Sequence, residues 1–351
     1  MLVAIALASE VARRKGGAPE VLAGLLAKHS AASVAERTGI SAAVIEKVAE
    51  RIASASAPLA LPPGVEVQGM NAARFAAAVQ ILNVVSGALG KTVVFGPDHN
   101  VGKLARFQEL SEVVGKVRGG EIGLLLVSDT NPAYTAPQVG IGDAIVSGKA
   151  FTVSFAFAPD ETSKLADLIL PDHTPYESWG DVEPVRGVKL LQQPTVRPLF
   201  DTRATIDVLL DAARALGATV PEGGFRDQLR AAWGGQVPFD AALAKGGTWH
   251  AAGATPVSVA SSVGSLEFEA APLAGNAADL ALVVYPSHHL YDGRLSRIQA
   301  LQEIPDPVTK TVWSSYAEIH PETATALGIE LGDTLVVSTE GGEVELVAYP
   351  H

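Results

Sequence analysis

Two short polar clusters contain the residues best placed to do chemistry. Ser128, Asp129 and Asn131, closed by Pro132, follow the apolar run Ile122 to Val127, and Glu161 and Thr162 follow a second run, Phe151 to Phe157. The first run is too short for a free-standing helix and is cut off by turn-favouring residues; each reads as a buried strand handing over to a polar loop. In open α/β sheets, loops at the carboxyl ends of strands converge on a crevice where ligands bind, and helix N-termini point into it. The stretch Leu124 to Asp181 therefore predicts a crevice for a nucleotide-like ligand, or the descendant of one. Plainer readings stand beside this one: a strand-ending turn for Asp129, Asn131 and Pro132, and a helix cap for Thr162.

Other chemistry is narrower. The chain has 8 histidines and no cysteine, so it can form no disulfide, cysteine-ligated cluster or cysteine–metal bond. His288 and His289 are adjacent and so point in different directions, which fits an exposed loop better than one metal ion. No nucleophile elbow, P-loop or dinucleotide fingerprint occurs in a strand-to-helix setting. The formal net charge of -12 argues against nucleic acid, whose binders concentrate Lys and Arg, and suits a basic protein partner.

The elements that must position these residues alternate. A length of 351 residues with 48% hydrophobic content can bury a core of one large or two ordinary domains. Leu2 to Arg14 reads as a helix, too soon interrupted by Glu10, Arg13 and Arg14 to span a bilayer, which takes about 20 apolar residues. No other run reaches spanning length, so no direct membrane span is expected. Ser41 is placed to cap a helix, with Ile40 and Ile45 as a hydrophobic staple and Val44, Val48 and Ile52 facing a core. Residues 57–69 read as strand, turn and a short extended piece, followed by a helix carrying Phe75, Val79, Leu82 and Ser86 and stopped by Gly87. Strand and helix signals then alternate: Ile122 to Val127, Gly140 to Ser147, Phe151 to Phe157, Ser163 to Ala166, Leu168 to Leu170. That alternation predicts a mostly parallel sheet covered on both faces. Asp201 is expected to cap a helix with Ile206, Leu209, Leu210 and Ala213 inward. Residues 218–264, rich in Gly, Ala and Pro, read as an irregular connection. From Ser265 short strands are expected at LEFEA and LALVVYP, then a helix from Pro321 to Gly328 and a hairpin of Thr334 to Ser338 with Glu343 to Tyr349.

The order SDTNP (128–132), DETSKLADLILP (160–171), ESWGD (177–181), LYDGR (290–294) and LQEIPDPVTK (301–310) resembles the molybdopterin oxidoreductase superfamily. Within that superfamily it looks most like the molybdopterin-like subunit of bacterial alternative complex III. The resemblance implies an α/β fold at 1–217, with a mostly parallel sheet and flanking helices. After the connection 218–264 it implies a partial dinucleotide-binding-like β-barrel at 265–351, which leaves an unpaired edge for another chain. It also implies that Asp129, Asn131 and Pro132 match the loop that holds the guanosine of the pterin cofactor, and that Glu161 and Thr162 form a second cofactor-facing loop. Relatives with catalysis continue the Glu177 phrase with Gly-Thr, Asn and Glu-Gly-Arg. Here Gly180 is followed by Asp181, Val182, Glu183 and Pro184, and only Arg186-Gly187 matches that wording.

This departure leads to the expectation of a scaffold subunit with no cofactor and no catalytic residue of its own, in a quinol-oxidising respiratory complex. By the resemblance its partners are an iron–sulfur cluster protein, a multihaem cytochrome c and integral membrane quinol-oxidising subunits, at the periplasmic face. The alternative is a fragment of an active enzyme whose molybdopterin guanine dinucleotide is shared with a separate N-terminal segment. Trp179 reads as packing rather than an electron-transfer residue.

Overall fold

The computed structural model describes all residues except 65, 66, 68, 70, 98, 251, 252, 270–279 and 314. The chain divides into two compact units, one of Met1–Pro63 and Gly69–Ala274, the other of Gly64–Gln68 and Gly275–His351.

The larger unit opens with α1 (Leu2–Arg14), α2 (Glu20–Ala27), α3 (Ala31–Thr38) and α4 (Ala42–Ser54), followed by α5 (Ala72–Ser86). α1 is the hub: Ile5, Ala8 and Val11 are buried against Leu22, Leu25 and Leu26 of α2 and Val79 and Leu82 of α5, with Phe268 closing the cluster. Ser41 caps α4 by accepting a hydrogen bond from the Val44 amide. The inward face of α4 differs from expectation. Ile45 and Ala49 are buried and Ile52 packs on the core, whereas Val44 and Val48 are exposed. Both triplets have helical spacing, and packing against α1 selects the first. The expected strand at 58–61 is an extended segment instead, pinned by Asn83, whose side chain accepts from the Ala60 amide and donates to its carbonyl, both at 2.9 Å. Part of the short extended piece expected up to residue 69 lies outside the described residues.

Then come α6 (Phe107–Gly119), β1 (Leu124–Val127), α7 (Pro132–Thr135), α8 (Ile141–Val146), β2 (Phe151–Ser154), a 3-10 turn at Ser163–Leu165, and β3 (Leu168–Ile169). The three strands form a parallel sheet in the order β1-β2-β3, with Leu124 opposite Phe151 and Val153 opposite Leu168. Val114 and Val117 of α6 and Ile141 and Ile145 of α8 pack together with Leu125 against one face. Directly paired residues share a face, so Leu124, Leu126, Phe151, Val153 and Leu168 lie on the other; Val153 is buried and the other four are exposed. Among the described residues helices α6 and α8 pack on one face and the other is largely exposed, where coverage of both was expected.

β4 (Gly180–Val185) and β5 (Val188–Gln192) form a hairpin, and α9 (Thr205–Ala215) follows. Asp201 does not cap α9. Asp172 does that work, accepting from the Thr205 amide at 3.2 Å and from its hydroxyl. Ile206 and Leu209 remain exposed. Residues 218–264, expected to be irregular, contain α10 (Phe225–Ala232), α11 (Gln236–Lys245) and β6 (Gly247–Trp249), which pairs antiparallel with β5. Leu191, Leu229, Phe239 and Ala242 form their core. Gly247 lies at φ 152°, and a Cβ there would meet the Lys189 carbonyl oxygen at 2.2 Å, so this strand contact requires glycine.

The smaller unit has α12 (Gln299–Glu303), β7 (Tyr316–Ile319), α13 (Pro321–Leu327), β8 (Thr334–Thr339) and β9 (Gly342–Pro350). Gly328 ends α13 in the left-handed conformation, and β8 and β9 form the expected hairpin. β9 also pairs in parallel with β7, giving the order β7-β9-β8. Among the described residues this is an open three-stranded sheet and not a closed barrel. Residues 280–286, expected as a strand, join no strand ladder, and Phe268 of the LEFEA phrase is buried in the larger unit's helical core.

Candidate functional site

The parallel register decides which loops meet. β1 and β2 run the same way with Val127 beside Ser154, so the loops that follow them leave the same sheet edge. This brings together two clusters about 30 positions apart in sequence. The Asn131 carboxamide oxygen accepts from the Thr162 amide at 3.1 Å and from its hydroxyl at 2.7 Å. The Asn131 carboxamide nitrogen donates to Glu161 Oε2 at 2.6 Å. The Thr162 hydroxyl, fully buried, also accepts from the Ala133 amide at 3.0 Å, which ties the first turn of α7 to the second loop. Thr162 makes no capping bond to the 3-10 turn. That turn is held by Asp160 and Ser163, each bonding the other's amide, at 2.6 and 2.7 Å.

Of the five candidate residues, Asn131, Glu161 and Thr162 are thus directly joined, and Pro132 is buried at the start of α7. Asp129 takes a left-handed conformation at φ 53°, which Asp tolerates better than most residues, and its side chain is exposed. The arrangement is an interlocked junction: both ends of the loop carboxamide are engaged by the neighbouring loop. The Asp129 and Glu161 side chains are exposed beside it.

The Glu177 phrase is also spent on local structure. The Glu177 carboxylate accepts from the Thr174 amide (2.9 Å), the Thr174 hydroxyl (2.8 Å) and the Leu199 amide (2.9 Å). The Thr174 and Leu199 amides hold it below the usual carboxylate range. Trp179 is half-buried, 5.9 Å from the Phe239 ring, with the Arg226 guanidinium 5.0 Å from its centroid. Asp181 accepts from the Trp233 indole at 2.9 Å. Arg186 and Gly187 are the two-residue turn of the β4–β5 hairpin, with Gly187 at φ 86°. His288 and His289 sit in a turn, and among the described residues no group of three or more His, Asp or Glu could hold a metal ion.

Sequence reading missed Trp233, Phe239 and Arg226, which support Trp179. The available signal was weak: a Gly- and Pro-broken segment whose apolar positions become helical only once Pro238 is placed in the first turn of α11.

No protein-family model matches the sequence. The chain is 28% identical over 348 residues to the menaquinone reductase molybdopterin-binding-like subunit of Nitratidesulfovibrio vulgaris, covering 91% of this chain and 48% of that protein. It is 27% identical over 106 residues to the assimilatory nitrate reductase catalytic subunit of Bacillus subtilis, covering 30% of this chain and 15% of that one. Acetylene hydratase from Pelobacter acetylenicus aligns with a TM-score of 0.48 and 14% identity, over 100% of this chain and 61% of that chain. The chain therefore spans about half the length of the first of these relatives, and its resemblance to the molybdopterin oxidoreductases, read from its motifs, is borne out by the sequence matches.

Proposed function

We propose that this chain is a redox-silent, molybdopterin-oxidoreductase-like scaffold subunit of a membrane-bound respiratory quinone complex resembling alternative complex III. The likeness to a menaquinone reductase subunit whose own name is molybdopterin-binding-like supports a place in such a complex. The observation that carries the redox-silent part is the Asn131 junction. A molybdopterin guanine dinucleotide would need the loop after β1 to offer polar groups outward. Both ends of the Asn131 carboxamide are instead consumed by Glu161 and Thr162. With the Asn131 carboxamide engaged inside the protein, the exposed carboxylates Asp129 and Glu161 do not make a dinucleotide site, so the residues present do not fit the group.

The role is mechanical: a rigid α/β body sets the spacing of cofactors carried by other chains. The largely exposed apolar face of the parallel sheet supports the need for such company, since a parallel sheet is ordinarily buried on both faces. The partners in this reading are an iron–sulfur cluster protein, a multihaem cytochrome c and integral membrane quinol-oxidising subunits at the periplasmic face. No helix among the described residues is long and apolar enough to cross a membrane, which suits peripheral attachment. The open β7-β9-β8 sheet is, in the same reading, part of a barrel completed elsewhere. The test is turnover by the purified 351-residue chain with a menaquinol analogue and an artificial acceptor. The scaffold reading expects none above buffer, and quinol oxidation by the isolated chain would overturn it.

A further inference from the structure

A cleft of about 370 Å³ opens beside Trp179, between the loop before α9 and the start of α10. It shares no residue with the Asn131 junction. Its lining includes the apolar Trp179, Val196 and Phe225, the basic Arg197, Arg226 and His173, and the acidic Glu177 and Asp207.

The charges in the cleft are unevenly matched. The acids are answered from within: Glu177 accepts three hydrogen bonds, and Asp207 accepts from the Phe225 amide at 2.6 Å. The arginines are not. Among the described residues no carboxylate forms an ion pair with Arg197 or Arg226, although the chain is acidic overall. Arg226 is held over the Trp179 ring, which orients its guanidinium without neutralising it. A concave site with an apolar body and a few convergent cations has the construction of a small-molecule pocket, and its size is at the lower end of the range for such ligands, about 300–1,000 Å³.

We propose that this cleft binds a small organic anion, a phosphate monoester or carboxylate on an apolar ring, its charge met by Arg197 and Arg226 and its body by Val196, Phe225 and Trp179. Guanidinium groups suit both head groups because their planar donors match paired oxygens.

Isothermal titration of the 351-residue chain with phenyl phosphate, benzoate and inorganic phosphate tests this. One of the two aromatic anions should saturate at one per chain, the tighter identifying the head group. Inorganic phosphate should bind at least about tenfold more weakly, because burying a ring adds affinity. Arg197→Gln and Arg226→Gln should each weaken the aromatic anion about tenfold, the low end for a charged hydrogen bond at an exposed rim. Arg226 braces Trp179, so its variant could lose structure; Arg197 has no such contact among the described residues, and its variant, checked for fold by circular dichroism, decides the matter. No saturable binding of either aromatic anion would overturn the proposal. So would inorganic phosphate binding as tightly, or a folded Arg197→Gln protein with undiminished affinity.

Discussion

The carboxyl edge of the parallel sheet and the cleft beside Trp179 treat polar side chains in opposite ways. At the sheet edge Asn131, Glu161 and Thr162 satisfy one another, and the place where the fold would receive a nucleotide is closed by its own hydrogen bonds. In the cleft the carboxylates are satisfied and the guanidiniums are left over. Loops picked out by resemblance can thus bond to one another, while unspent charge lies beside a motif residue, Trp179, that reads as packing. The location of polar groups says less than whether their hydrogen bonds are already taken.

Substitutions in the two regions should differ in kind. Phe239→Ala should have the largest effect. Phe239 is fully buried beneath Trp179 and beside Leu191 and Leu229, and its truncation should cost about 3–5 kcal/mol in urea unfolding and remove anion binding with it. Asn131→Ala comes next. It leaves the Thr162 amide and buried hydroxyl without their acceptor, which should cost about 2–3 kcal/mol. If the junction were a ligand site instead of a lock, the same variant would lose a bound ligand and keep its unfolding midpoint.

Glu177 supplies a pH test. Its carboxyl is held below an ordinary value of 4.5 in the folded chain, so the stability it contributes is present above that value and is lost as pH falls through the lower, folded pKa. Glu177→Gln should flatten the acid limb of the unfolding midpoint below about pH 4.5 and leave the neutral region parallel to wild type. An unchanged acid limb would mean that the Thr174 and Leu199 bonds do not persist in solution. The smallest effect is expected at α4, where Val44→Glu should change stability by less than about 0.5 kcal/mol while Ile45→Ala costs about 2–5 kcal/mol. A large Val44 effect would restore the inward face first read from the sequence.

Much of the fold was legible because its signals are local. The run ending at Val127, the start of the second strand at Phe151, the glycine stops at Gly87 and Gly328, the Ser41 cap and the Glu340-Gly341 turn each carry their information within a few residues. What failed depended on distant partners. Val44 and Ile45 begin equally helical stripes, and only α1 decides between them. Asp172, 33 positions away, takes the capping role expected of Asp201. Pro238, in the stretch read as irregular, occupies the first turn of α11, where its missing amide proton costs little. The candidate loops were found from composition. Their mutual locking was not, because it follows from the parallel β1–β2 register, which pairs residues 27 positions apart.

The most direct measurement is molybdenum, tungsten and pterin content of the natively isolated assembly, by metal mass spectrometry and fluorescence of oxidised pterin, normalised to this chain. No molybdenum, tungsten or pterin is expected in proportion to the chain, with iron and haem arriving through partners. Near one molybdenum or tungsten per chain, accompanied by pterin, would contradict it and make Asp129 and the Asn131 junction part of a working cofactor site.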